Sequence, residues 1–160
     1  MLTFGYLSFE FAVFYDNIRL NILIKIKGII MEDKELVNLA MEAKKRAYAP
    51  YSNFHVGAAL LCENGEVYLG CNIENAAYGS TNCAERTAVF NAISFGNRSF
   101  KKIAIVSDGD EYTYPCGVCR QVLSEFAPNI EVIMAKRNGD FIKEPLCELL
   151  PHMFSLKKRD

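Results

Sequence analysis

Two short stretches of this chain, Cys83-Ala84-Glu85 and Pro115-Cys116-Gly117-Val118-Cys119, constrain its fold more than any other feature. Zinc prefers thiolate and imidazole ligands in tetrahedral geometry, and a site with only three protein ligands leaves its fourth position to water. Cys83, Cys116 and Cys119 would supply those three ligands. Glu85, two residues from the first, would reach the water without binding the metal. A fold that uses these residues must return the second stretch to the side of the first, after an intervening helix, strand and loop. The competing reading is a closed structural zinc site, with Cys62 or Cys71 as the fourth ligand. The spacing of Glu85 and the place of all three cysteines at helix starts favour the open site.

The periodicity around these stretches predicts an α/β domain. Leu36, Ala40, Ala43 and Ala47 mark one helical face from Asp33 onward, with Lys44, Lys45 and Arg46 toward the C-terminal end, and Pro50 stops it. Apolar runs at 55–62 and 66–72 flank Glu63-Asn64-Gly65, a hairpin turn. A loop over 74–82 leads into a helix over 83–95, which Gly96 and Asn97 stop. A strand is expected at 102–107, then a polar loop at 108–114 and a helix opened by Pro115 and closed by Pro128. Residues 130–135 read as another strand and 141–142 as a short last one. This order implies a mixed sheet with helices packed on it.

Helix starts suit the chemistry. The first turn of a helix carries partial positive charge and free N–H donors, which favour thiolate over thiol. Cys116 and Cys119, three apart, share a helical face. Three thiolates and one Zn²⁺ leave a net charge of about −1, which weakens the metal as a Lewis acid. Arg86, beside Glu85, is the expected compensating charge, hydrogen-bonded to the cysteine sulfurs.

The whole chain sets broader bounds. Its 160 residues suffice for one domain with one core, and its formal net charge of −1 carries no basic stripe. That excludes the electrostatic footprint of a DNA or RNA partner and points to a small, nearly neutral substrate. The six cysteines, without a signal peptide, fit a metal better than disulfides, so the expected compartment is cytoplasmic. Residues 1–30 are rich in Phe, Tyr, Leu and Ile, but Glu10, Asp16, Arg19, Lys25 and Lys27 interrupt them. A membrane span needs roughly 20 nearly uncharged residues, so no membrane partner is expected. The stretch reads as an extension outside the domain, with Met31 as the native start and 31–160 as the catalytic domain; the competing reading is an extra strand or helix docked on it.

Longer motifs make the pattern specific. Tyr51-Ser52-Asn53-Phe54-His55-Val56-Gly57-Ala58-Ala59-Leu60, Asn72-Ile73-Glu74-Asn75-Ala76-Ala77-Tyr78, Asn82-Cys83-Ala84-Glu85-Arg86-Thr87-Ala88, Pro115-Cys116-Gly117-Val118-Cys119-Arg120-Gln121-Val122-Leu123 and Leu149-Leu150-Pro151 together resemble cytidine deaminases of the small homotetrameric, zinc-dependent type. The resemblance covers about 33–154 in order. It implies a three-layer α/β/α fold, with a mixed five-stranded sheet and helices on both faces. It also implies one Zn²⁺ per subunit and hydrolysis of cytidine and 2′-deoxycytidine to uridine and 2′-deoxyuridine plus ammonia, as in pyrimidine salvage. Glu85 would take the proton of the attacking water, deliver it to N3 of the base and help protonate the leaving ammonia. Carried over residue by residue, Asn72 and Glu74 would hold the sugar 3′-hydroxyl, Phe54 would pack on the pyrimidine, and the Ala84 N–H would meet the base carbonyl. Tyr78 and Phe154 would complete the pocket of a neighbouring subunit. After Pro151 this chain has His152-Met153 where the family often has a small residue.

Other functions are weighed against this one. A blasticidin-type deaminase shares the three-cysteine site, but Asn72-x-Glu74 suits a plain nucleoside. A nucleotide deaminase would need a basic phosphate pocket, and no Lys or Arg lies near the sugar motif. A non-catalytic zinc-stabilised module is the reading from another class, separated from every enzyme by ammonia release.

Overall fold

The structure, a computed structural model, describes residues 31–156. The expected extension over 1–30 lies outside the described residues. Helix α1 (Asp33–Lys44) turns Leu36, Val37, Ala40 and Ala43 inward and carries Asp33 and Glu35 in its first turn and Lys44 in its last, which complements its dipole. It stops before Ala47, which the periodicity had placed on the same face. The Arg46 and Ala47 N–H groups close tight turns onto the Ala43 and Lys44 carbonyls, and Tyr48 then exchanges backbone hydrogen bonds with Asn72 and Glu74. That pairing pulls the chain off the helix axis before Pro50 is reached.

Strands β1 (Val56–Cys62) and β2 (Val67–Cys71) form the expected hairpin, its turn made by Gly65 at φ 83°. After a 3₁₀ turn (Tyr78–Ser80), α2 (Ala84–Ser94) ends at Gly96, φ 89°, with the Asn97 N–H returning to the Ala92 carbonyl. Strand β3 (Phe100–Ser107) begins two residues earlier than its apolar run suggested, because Phe100 pairs with Cys62 across a bulge. Helix α3 (Gly117–Phe126) starts after Cys116, so Pro115 precedes the cap instead of opening the helix. Strand β4 (Glu131–Ala135) is followed by β5 (Phe141–Pro145) and the single turn α4 (Leu146–Leu149). β5 is longer than 141–142 because Lys143, Glu144 and Pro145 pair along β4 at the sheet's edge, where no apolar run is needed.

The sheet runs β2-β1-β3-β4-β5, mixed as expected: only β3 and β4 are parallel. Side chains alternate across it. Ala59, Leu61, Ala104, Val106, Ile133 and Ala135 pack under α1, whereas Ala58, Leu60, Ile103, Ile105, Val132 and Met134 pack with Ala88, Val89 and Leu123 on the other face. Helices therefore cover both faces, giving three layers. Two glycines set how closely the layers approach. A Cβ on Gly57 would strike the Ala40 carbonyl of α1, and one on Gly70 would strike the backbone of Ala84 and Ala88 in α2. No described helix is long and apolar enough to cross a membrane.

Candidate functional site

Close approach at Gly70 seats the first turn of α2 on the sheet. The parallel β3–β4 pair, joined through α3, carries the start of α3 to the same end. Cys83 is the N-cap residue of α2 and Cys116 that of α3, with Cys119 one turn into α3. The three sulfurs lie within 4.8 Å of one another, and Cys83 Sγ stands 3.9 Å from Cys116 Sγ. Tetrahedral zinc with bonds of about 2.3 Å holds its sulfurs about 3.8 Å apart, so this donor set fits the metal. Cys119 is buried, Cys83 half-buried and Cys116 exposed, which orients the open side toward solvent. Cys62 and Cys71 are not among the converging residues, and closure by either as a fourth ligand is not what the fold offers.

The electrostatics favour a charged sulfur. Hydrogen bonding from Cys119, and then from Arg86 and Cys116, outweighs burial and brings the Cys83 thiol down to about 5. Cys119 is pushed up by the same pairing and by its burial, so Cys83 carries the charge of the pair. Arg86 Nη2 donates to the Thr81 carbonyl at 3.0 Å and to Cys83 Sγ at 3.6 Å, the compensating contact expected of it. That bond to Cys83 holds the guanidinium's pKa above its usual value. Glu85 is 4% exposed, and burial raises its carboxyl to about 7 against the pull of its own backbone N–H. A carboxyl in that range can both accept and return a proton near neutral pH.

A cavity of about 490 Å³ opens above these groups. Phe54, Asn72, Glu74, Cys83, Ala84, Glu85 and Cys116 all line it. Ala84 is the first residue of α2, so its N–H has no partner within the helix and remains for a ligand. Asn72 is buried and has a second task. Its Nδ2 donates to the Phe54 carbonyl at 2.9 Å, and its Oδ1 accepts the Val56 N–H at 2.8 Å. Glu74 accepts the Ser52 hydroxyl and the Tyr51 and Ser52 N–H groups, which lower its pKa. Both residues therefore brace the chain at 51–56 as well as facing the cavity.

Tyr78 and Phe154 do not line the cavity of their own chain. Tyr78 is 77% exposed, its ring edge-on to Tyr51 at 6.3 Å, and Phe154 is 68% exposed, its carbonyl held by Gln121 Nε2. Ser52, Val56, Thr81, Thr113 and Tyr114 complete the lining and were not singled out from sequence. The neighbourhood of Tyr114 and Pro115 to Cys116 was the available signal for one of them. Ser52 and Val56 stand inside the 51–60 motif without being singled out, and Thr113 gave no signal, since its role is a hydrogen bond to distant Ala135. His55 turns away from the cavity and bonds Asp108 through Nδ1 at 2.7 Å.

Comparison with known proteins agrees with this geometry. Residues 30–135 match the family described as the cytidine and deoxycytidylate deaminase zinc-binding region. The chain is 49% identical over 126 residues to a cytidine deaminase of Sporosarcina psychrophila, covering 78% of this chain and 93% of that one. A crystal structure of cytidine deaminase from Burkholderia pseudomallei superposes with a TM-score of 0.76 at 46% identity, covering 78% of this chain and all of that one (100%). A blasticidin-S deaminase of Bacillus cereus is more distant, 34% identical over 135 residues, 79% of this chain and 95% of that one.

Proposed function

The chain belongs to the cytidine and deoxycytidylate deaminase family, and on that premise we propose that it hydrolyses cytidine and 2′-deoxycytidine to uridine and 2′-deoxyuridine, releasing ammonia. The observation that carries the reading is the buried Glu85 carboxyl at the floor of a cavity where three cysteines converge from two helix starts. Cys83, Cys116 and Cys119 would hold a zinc ion, which would supply a Lewis acid that lowers the pKa of water toward neutrality. Glu85 takes the proton of that water and passes it to N3 of the base. Oxygen bonds to C4 as the C4=N3 double bond opens; Glu85 then takes the second proton from the new C4 hydroxyl and gives it to the amino group, so the C4–N4 bond breaks, ammonia leaves and the C4 carbonyl forms. Phe54 packs on the pyrimidine, and the Ala84 N–H donates to the base carbonyl. Asn72 retains one N–H, and Glu74 one acceptor site, for the sugar 3′-hydroxyl. Arg86 holds positive charge against the thiolates.

Among the described residues, none that lines the cavity is Lys or Arg, which favours a nucleoside over a nucleotide. The sugar-facing pair Asn72 and Glu74 favours a plain nucleoside over blasticidin. The exposed Tyr78 and Phe154 support a homotetramer in which they complete a neighbour's pocket. Residues 31–160 form the catalytic domain in this reading, and the enzyme serves pyrimidine salvage in the cytoplasm. The test is turnover of cytidine, cytidine 5′-phosphate and blasticidin S by the purified protein, followed by loss of ultraviolet absorbance. Cytidine alone is expected to react. Tightly bound zinc without turnover of any of them would overturn catalysis in favour of a zinc-stabilised module.

A further inference from the structure

Phe54 presents its ring to the cavity while 44% exposed, so packing alone does not hold it. It precedes β1, and its backbone groups have no strand partner. Side chains satisfy them instead: the Phe54 N–H donates to Ser52 Oγ at 3.0 Å, and its carbonyl accepts from Asn72 Nδ2. Asn53, at φ 52°, turns the chain so that these bonds close. A serine hydroxyl has one proton, and Ser52 gives it to Glu74. The hydrogen bonds therefore run one way, from the Phe54 N–H through the Ser52 hydroxyl to the Glu74 carboxylate, and polarise one another. Glu74 also collects the Tyr51 and Ser52 N–H groups at 2.8 and 3.2 Å. With about four acceptor sites on a carboxylate, one remains for a ligand.

We propose that Ser52 is a positioning residue for the deamination, linking the carboxylate that meets the sugar to the aromatic ring that meets the base. A sugar hydroxyl that donates to Glu74 acts on the same carboxylate that holds Ser52, and Ser52 holds the main chain of Phe54. Sugar recognition thereby sets where the pyrimidine stacks. The contacts are made with the bound nucleoside throughout the reaction, so their loss falls on KM more than on kcat.

This inference rests on the deaminase reading, and its test uses two substrates, cytidine and 3′-deoxycytidine, which lacks the hydroxyl assigned to Glu74. Ser52→Ala is expected to raise KM for cytidine about tenfold, the loss of one hydrogen bond to a charged group, with kcat within about threefold. For 3′-deoxycytidine the penalty is expected to shrink to about twofold, because the coupled hydroxyl is already missing. Ser52→Thr and Ser52→Val share a shape and differ in the hydroxyl, so the same contrast between them holds even where the alanine variant is less stable. An unchanged KM in Ser52→Ala, or an equal penalty on both substrates, would overturn the proposal while wild-type turnover of cytidine stands. Absence of wild-type turnover would overturn the deaminase reading and this inference with it.

Discussion

Replacing Gly70 with alanine tests whether the metal site depends on how closely α2 sits on β2. The new methyl would fall inside contact distance of the Ala84 carbonyl and the Ala88 N–H, and would lie 3.0 Å from Ala88 Cα. Non-bonded heavy atoms settle at about 3.5 Å, and the Ala84 oxygen would lie nearer than Ala88 Cα, so the helix must withdraw by roughly 1 Å or more. Neither Ala84 nor Ala88 can rotate away, because the opposing atoms are helix backbone and both residues are fully buried. Overpacking of this kind costs about 1–3 kcal/mol. For a domain of this size that lowers the melting temperature by roughly 3–12 °C. The functional consequence is sharper than the thermal one. Cys83 precedes Ala84 directly, and a zinc site tolerates bond-length departures of only about 0.2 Å. Gly70→Ala should therefore bind zinc weakly, as read by competition with a chromophoric chelator, and should lose cytidine turnover in proportion. Gly79→Ala, where no heavy atom lies within 4 Å, is the control and should behave as wild type. If Gly70→Ala melted within about 1 °C of wild type and kept its zinc, the link between sheet contact and metal geometry would be wrong.

Glu85→Gln keeps the shape of the buried side chain but cannot carry protons, so turnover should fall at least about 10²–10⁴-fold with zinc content unchanged; retained activity would remove Glu85 from its role. Arg86→Gln removes the guanidinium that donates to Cys83 Sγ and the Thr81 carbonyl, and zinc affinity should drop about 10–100-fold by chelator competition. Asp108 is brought to about 2, its burial being outweighed by Lys44 and by the ring and backbone of His55. A carboxyl lowered on folding stabilises the protein above its unfolded value of about 3.9 and loses that contribution as pH falls toward about 2. With Asp108 35% exposed, screening reduces the effect to about 1 kcal/mol. Asp108→Asn should therefore flatten urea-measured stability between about pH 4 and pH 2, and an unchanged slope would deny the ion pair its part.

The metal-binding half of the site was legible because its chemistry is local. A cysteine at a helix start gains the dipole and free N–H groups wherever that helix lies, so Cys83 and Cys116 could be placed from periodicity and spacing alone. The apolar runs of β1, β3 and β4 were legible for the same reason, since each strand buries both faces. Long-range partners decided what was missed. Ala47 carries the period of α1 but leaves the helix, because Tyr48 is claimed by Asn72 and Glu74. Lys143 to Pro145 look like loop, yet β4 needs an edge partner and takes them. Pro115 looked like a first helical residue, but Cys116 already occupies the capping position beside it.

The substrate-facing half was less legible because its residues act on the main chain as much as on a ligand. From sequence, Asn72 and Glu74 are expected to hold the sugar 3′-hydroxyl. The fold gives them bracing work without removing them from the cavity. An asparagine has two N–H donors and a carboxylate about four acceptor sites, so one residue can hold a loop and still meet a hydroxyl. This economy has a consequence for substitution. Removing Glu74 would cost both a ligand contact and the anchor of 51–54, so its effect on KM would overstate its contact with substrate. Ser52, which touches that loop and Glu74 but is assigned no bond to the nucleoside, separates the two contributions. Thr113 does similar work on the opposite wall, where its hydroxyl and N–H both reach the Ala135 carbonyl at the end of β4. The cavity is thus walled by loops whose hydrogen bonds end on the sheet, while its floor is set by two helix starts.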